Sequence, residues 1–291
     1  MSRSESPTAS LANGSSDVSA DIRAMAQAIV AHHPTMLAGD GCSYEQSLAA
    51  QVTAPGGESP EITAVRIGAR MLGFIEADID CLAAAWHRQT LRLGNFDPHQ
   101  WPVHAQDFCI PPMPRANAFA PCPSALGLYA VLPDADWVAR MAHAGVPTVQ
   151  LRLKSPDRQA IAREVQAAVR AVEGTPSLLF INDHWQAAID AGAYGVHLGQ
   201  EDMEEAPLER IRQAGLRLGL STHGYAEMLR ADAVSPSYLA LGAVFPTTLK
   251  RMKTAPQGLG RLYAYAQLMR HHSLVAIGGV DLSTIAAVKG S

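Results

Sequence analysis

Residues Ser177-Leu178-Leu179-Phe180-Ile181-Asn182-Asp183 form a short apolar run that closes on two polar residues. A helix-forming segment, Trp185–Ala191, follows, and Gly195-Val196-His197-Leu198 is apolar again. Two such runs joined by a helix are the pattern of parallel strands with a helical crossover. Working outward, the same rhythm fills the second half of the chain. Apolar runs recur at 126–132, 148–153, 177–181, 195–198, 217–221, 238–244 and 274–277. Stretches of helix formers at 157–173, 185–191, 207–214 and 226–231 lie between them. Seven strand–helix units predict an α/β fold, and a (β/α)8 barrel accounts for them better than an open sheet. In such a barrel the chemistry belongs at the C-terminal ends of the strands.

The first part of the chain has a different character. Of 291 residues, those numbered 1–124 carry seven arginines, no lysine and twelve acids, a net of −5, whereas 125–291 carry +1. Residues 1–17 are small and polar and read as a flexible tail. Helical spacing of Ile22, Met25, Ala26, Ile29 and Val30 predicts a helix over 19–33, and a longer one is expected over 61–92. Residues 18–107 are thus expected to be mostly α. Five prolines between Pro111 and Pro123 mark 108–124 as an extended linker, leaving 125–291 as the barrel.

Composition narrows the function. Apolar residues make up 48% and charged residues 17%, enough for a core. The net charge of −4 gives no electrostatic footprint for nucleic acid. No run reaches the ~18 apolar residues of a membrane span, and Met1-Ser2-Arg3-Ser4-Glu5 opens no secretory signal. The four cysteines, Cys42, Cys81, Cys109 and Cys122, include no CxxC pair and no disulfide framework. A cytoplasmic protein is expected, with self-association left open.

The residues at the ends of the runs are polar. In Gln150-Leu151-Arg152-Leu153-Lys154, strand alternation puts Gln150, Arg152 and Lys154 on one face. A guanidinium and an ammonium aimed at one point suit a polyanion, although a solvated edge strand would show the same letters. Asp183 and Asp202 each follow an apolar run. Taken singly, either acid reads first as a helix N-cap. Facing a basic pair, two acids are also the arrangement that holds Mg2+ on a phosphate substrate. Ser221, Thr222 and His223 end the fifth run, Thr247, Thr248 and Lys250 follow the sixth, and Gly278-Gly279 follow the seventh. No spacing suggests a hydrolytic triad.

These blocks carry a resemblance. Gln150–Lys154, the stretch 180–183, Gly195-Val196-His197-Leu198-Gly199-Gln200-Glu201-Asp202, Gly219-Leu220-Ser221-Thr222-His223, Phe245-Pro246-Thr247 with Lys250, residues 255–259 and Ala276-Ile277-Gly278-Gly279-Val280 resemble, in order, the thiamine phosphate synthase family over residues 125–291. The resemblance implies a barrel transferase that joins a hydroxymethylpyrimidine diphosphate to a thiazole phosphate and releases pyrophosphate with Mg2+. It implies that Gln150, Arg152, Lys154, Asn182, Ser221 and Lys250 contact the pyrimidine diphosphate, the backbone of Leu151 and Leu153 lying between them. It assigns Asp183 and Asp202 to Mg2+, and Thr247, Thr248, Leu249 and Gly279 to the thiazole phosphate. Arg152, Lys154, Ser221 and Lys250 become the catalytic set, through a dissociative path that needs leaving-group stabilisation more than a base. His197 is then expected to be structural.

Two departures qualify this. Leu249 stands where the family's loop usually has a second Thr, and the chain ends at Gly290-Ser291, before the family's eighth strand and helix. A barrel open between its first and seventh strands, and impaired activity or stability, are the expectation. Two other readings remain open: a tautomerase-type isomerase on the same barrel, with His223 as acid/base, and a non-catalytic ligand-binding homologue. Gly39-Asp40-Gly41-Cys42-Ser43 faintly resembles the anion-binding turn of hydroxymethylpyrimidine phosphate kinases, which makes the first part a kinase remnant or a plain helical appendage.

Overall fold

The structure is a computed structural model that describes residues 12–38, 57–247 and 254–291. The turn at Gly39–Ser43 and the residues Thr248, Leu249 and Lys250 lie outside the described residues. The chain divides into two compact units, 1–108 and 109–291.

In the first unit, α1 (Ala12–His32) packs on α2 (Pro60–Met71), and α3 (Glu76–Leu93) follows. Gly68 permits the α1–α2 crossing, since a Cβ there would press on Ile29 and the Ala26 carbonyl. The single helix expected over 61–92 is corrected to two. Gly73 takes a left-handed conformation (φ +82°), which only glycine adopts without strain, and ends α2. Arg70 spans the break, donating to both carboxylate oxygens of Glu76 at 2.7 and 2.8 Å. Phe74, Trp86, Trp101 and His33 stack edge-on and face-on beneath.

The second unit carries seven parallel strands in sequential order: β1 (Tyr129–Leu132), β2 (Thr148–Leu151), β3 (Leu178–Asn182), β4 (Gly195–Leu198), β5 (Arg217–Thr222), β6 (Tyr238–Leu241) and β7 (Ser273–Ala276). Each pairs with the next in parallel register. The crossovers are α4 (Ala135–His143), α5 (Arg158–Val172), α6 (Trp185–Ala191), α7 (Gln200–Glu205) with α8 (Leu208–Gln213), α9 (Tyr225–Val234) and α10 (Gly258–Leu268), and α11 (Ile285–Lys289) follows β7. The fold is α/β, as expected. Asp134 and Asp157 cap α4 and α5 through their carboxylates. The expected second run, 148–153, ends at Leu151, so Arg152 and Lys154 belong to the loop beyond β2 rather than to a strand face.

The two sheet faces divide by the strand period of two. Leu151, Ile181, Val196, Leu218, Leu220 and Leu239 are wholly buried. The alternate residues Phe180 and Tyr238 join Leu126, Ala240 and Val275 in one interior cluster. Residues 109–124 contain no helix or strand and hydrogen-bond to the starts of the last strands. Phe119 N–H donates to the Ser235 carbonyl (3.0 Å), and the hydroxyls of Ser237 and Ser273 donate to the carbonyls of Ala120 and Pro123. That segment therefore lies at the N-terminal ends of β6 and β7. The described cysteines, Cys81, Cys109 and Cys122, form no disulfide with one another. Among the described residues no helix is long and apolar enough to cross a membrane.

Candidate active site

The loops after β2, β3 and β4 bring the expected anion and cation residues together. Arg152 continues the ladder beyond β2, its N–H donating to the Leu132 carbonyl at 2.8 Å. His184 fixes the same loop from the next strand, with Nε2 3.1 Å from the Leu153 carbonyl. Asp183 ends β3 in a left-handed conformation (φ +61°), rare for a residue with a side chain. Its N–H donates to the His197 carbonyl at 2.9 Å, so the unusual backbone is fixed by the neighbouring strand.

That turn places Asp183 beside Asp202, in the first turn of α7. Partial desolvation, then the Asp202 carboxylate, push the Asp183 carboxyl above its usual range; His184 and Arg152 pull it down. Two carboxylates that repel each other next to a guanidinium are a donor set that could hold a hard cation beside an anion. Neither acid caps a helix. His184 occupies the cap position of α6 and Gly199 that of α7, without a side-chain cap in either case. Gly199 also admits the acid, since a Cβ there would stand 3.0 Å from an Asp202 carboxylate oxygen. In the same loop Gln200 donates Nε2 to the Ser221 carbonyl at 2.8 Å, while its Oε1 is buried without a hydrogen-bond partner.

On the interior face, Gln150 and Ser221 are joined by a chain of hydrogen bonds. Gln150 Nε2 donates to the Tyr129 hydroxyl (3.3 Å), which lies 2.6 Å from the Tyr238 hydroxyl. The Tyr238 hydroxyl is 2.6 Å from His197 Nδ1, and His197 Nε2 is 2.8 Å from Ser221 Oγ. Burial raises both phenols far above their ordinary values, so they stay neutral. The Gln150 amide nitrogen donates at one end, and each hydroxyl after it can both donate and accept, so the chain runs unbroken to Ser221. Gly219 makes room for this, because a Cβ there would lie within the Tyr238 ring. His197 is buried and fully bonded, as expected of a structural residue, but one of its partners is Ser221. Sequence reasoning gave no sign of that link or of Tyr129 and Tyr238.

Asn182 is buried at the end of β3, adjoining His197 in register. His223 is held by Glu227, whose Oε2 lies 2.6 Å from Nδ1 and accepts the His223 N–H at 2.9 Å. On the other side, Phe245 N–H donates to the Gly278 carbonyl at 3.0 Å. Gly279 (φ +65°) abuts the Pro246 carbonyl so closely that no Cβ fits. The loops bearing Thr247 and Gly279 are therefore in contact.

Comparison with known proteins locates the likeness in the second unit. A family model described as thiamine monophosphate synthase matches residues 128–291. The thiamine-phosphate synthase of Neisseria meningitidis serogroup A is 56% identical over 170 residues, covering 58% of this chain and 83% of its own. That of Serratia proteamaculans is 49% identical over 171 residues, covering 58% and 80%. Among solved structures, a thiamine phosphate pyrophosphorylase from Pyrococcus furiosus aligns with a TM-score of 0.50 at 26% identity, over 57% of this chain and 81% of that one.

Proposed function

This chain belongs to the thiamine monophosphate synthase family, and from that premise we propose that the loops after β2, β3 and β4 bind a pyrimidine diphosphate and expel its pyrophosphate onto cationic groups. The thiazole phosphate is the second substrate, and the two join as thiamine phosphate. The observation that carries the assignment is the meeting of Asp183, Asp202 and Arg152 at the ends of successive strands.

Asp183 and Asp202 would hold Mg2+, and the repulsion between them together with the orphaned Gln200 Oε1 fits an oxygen-seeking cation. When bound, that ion neutralises charge on phosphate oxygens. The protein's own groups do the rest. Arg152 binds phosphate oxygens through its fork of N–H donors, and Lys154 adds a point charge. These contacts strengthen as the carbon–oxygen bond to the diphosphate lengthens, so they lower the barrier rather than only tightening binding. Asn182 would contact the same pyrimidine diphosphate. Ser221, held by His197, would contact the pyrimidine diphosphate, and Gln150 would approach from the far end of the same chain. Lys250 would complete the cationic set, while Thr247, Thr248, Leu249 and Gly279 would receive the thiazole phosphate. The strand order supports a finer description of the fold as seven units of a (β/α)8 barrel.

Incubation with both substrates and Mg2+, while following pyrophosphate, tests the proposal. Release that needs both substrates supports it. Conversion of the thiazole substrate alone would indicate an isomerase, and binding of both without release would indicate a non-catalytic homologue.

A further inference from the structure

A second cluster of metal-competent side chains lies at the opposite end of the sheet. Asp232, in the last turn of α9, meets His271 and His272, the two residues before β7. Asp232 Oδ1 is 2.9 Å from His271 Nε2 and 2.8 Å from His272 Nε2, and one ligand atom from each residue lies within 4.8 Å of the others. The Asp232 and His272 side chains are 3% and 2% exposed, and that of His271 20%. On its other side the carboxylate accepts from Arg115 Nη2, 3.0 Å to Oδ1 and 2.8 Å to Oδ2, while Arg115 Nη1 donates to the Asp232 carbonyl. These groups precede β6 and β7, whereas Arg152, Asp183 and Asp202 follow β2, β3 and β4.

We propose that Asp232, His271 and His272 form a structural site for a divalent transition metal, zinc above all. Two imidazole nitrogens and one carboxylate oxygen are a borderline donor set that suits Zn2+ and not Mg2+, which seeks oxygen alone. Tetrahedral bonds of about 2.0–2.1 Å put ligand atoms roughly 3.3 Å apart, so the two Oδ1–Nε2 distances need open only by a few tenths of an ångström. The ring protons now directed at Oδ1 shift to Nδ1, leaving both Nε2 lone pairs for the metal. Arg115 keeps Oδ2 and orients the carboxylate in advance, as outer-shell partners of ligating carboxylates do. The partly exposed His271 edge supplies the entry path and a fourth position for water. Because Arg115 already balances the carboxylate, binding adds net charge and is expected to be weaker than at a four-ligand structural zinc. Its consequence is mechanical: residues about 40 apart in sequence and the segment carrying Arg115 are joined at one point.

The test uses the whole chain, stripped with a chelator and dialysed, then titrated with Co2+ and Zn2+. One Co2+ per chain should give the visible bands of a four-coordinate site, one Zn2+ should displace it, and Zn2+ should raise the thermal midpoint. His271→Ala should weaken binding at least tenfold. His271→Gln, which can still donate to Oδ1 but offers no ligand nitrogen, should do the same with its metal-free midpoint unchanged. Asp183→Asn should bind as the wild type does. Lack of saturable binding, or binding that survives both His271 substitutions, would overturn the proposal and leave the cluster a hydrogen-bonded knot.

Discussion

His197 Nε2 lies 2.8 Å from Ser221 Oγ, although the two residues occupy neighbouring strands and are 24 positions apart. A buried imidazole thereby fixes which way a hydroxyl at the mouth of the site points. The imidazole is tied in turn, through Tyr238 and Tyr129, to Gln150.

His197→Ala removes the hydrogen-bond partner shared by Ser221 and the Tyr238 hydroxyl. Misorientation of a positioning group costs about 10- to 100-fold in rate, so kcat should fall in that range. His197→Asn, which can still donate to Ser221, should restore part of the loss. Equal losses in both variants, tracking loss of folded protein by circular dichroism, would show that His197 only packs.

Gly219→Ala should destabilise the second unit, because its methyl group would enter the Tyr238 ring. Overpacking of this kind costs about 1–3 kcal/mol. A denaturant midpoint equal to that of the wild type would contradict the packing described. Gly145→Ala is a useful contrast. No atom crowds a Cβ there, so only the left-handed backbone (φ +82°) is penalised.

Burial would raise the Glu227 carboxyl, but hydrogen bonds and charge from His223 outweigh it, so the folded-state value is lowered. A lowered carboxylate stabilises the folded state above its unfolded value, about 4.3 for Glu, and that contribution disappears as pH falls through the folded value. Wild type should therefore be more stable than Glu227→Gln near neutral pH, and the gap should close below about pH 4. A gap that stays constant or widens on acidification would refute the assignment.

The strand pattern was legible because buried parallel strands are written as short apolar runs, and all seven were visible, although nothing in the runs gave their order in the sheet. Their ends were not. The apolar alternation of Leu151 and Leu153 carried the expected second strand past Leu151, yet the strand stops there, with the Arg152 N–H donating to the Leu132 carbonyl. In the first unit, apolar periodicity ran on through Gly73, and only its positive φ divides the helix. Asp183 and Asp202 could be selected because each comes soon after an apolar run, and Arg152 because it alternates with Leu151 and Leu153. The chain from Gln150 to Ser221 could not, since it depends on Tyr238 crossing the interior over Gly219, a contact that no local spacing encodes. The same holds for Asp232 and His271, which meet only after α10 returns the chain to the start of β7.

The most direct measurement is the rate of thiamine phosphate formation as Mg2+ is varied, for wild type, Asp183→Asn and Asp202→Asn. With the ion held by these two carboxylates, each variant should lose at least about a hundredfold in rate and need markedly more Mg2+ for half-maximal activity, with circular dichroism unchanged. Wild-type rates and an unshifted Mg2+ dependence in both variants would contradict the assignment of the site.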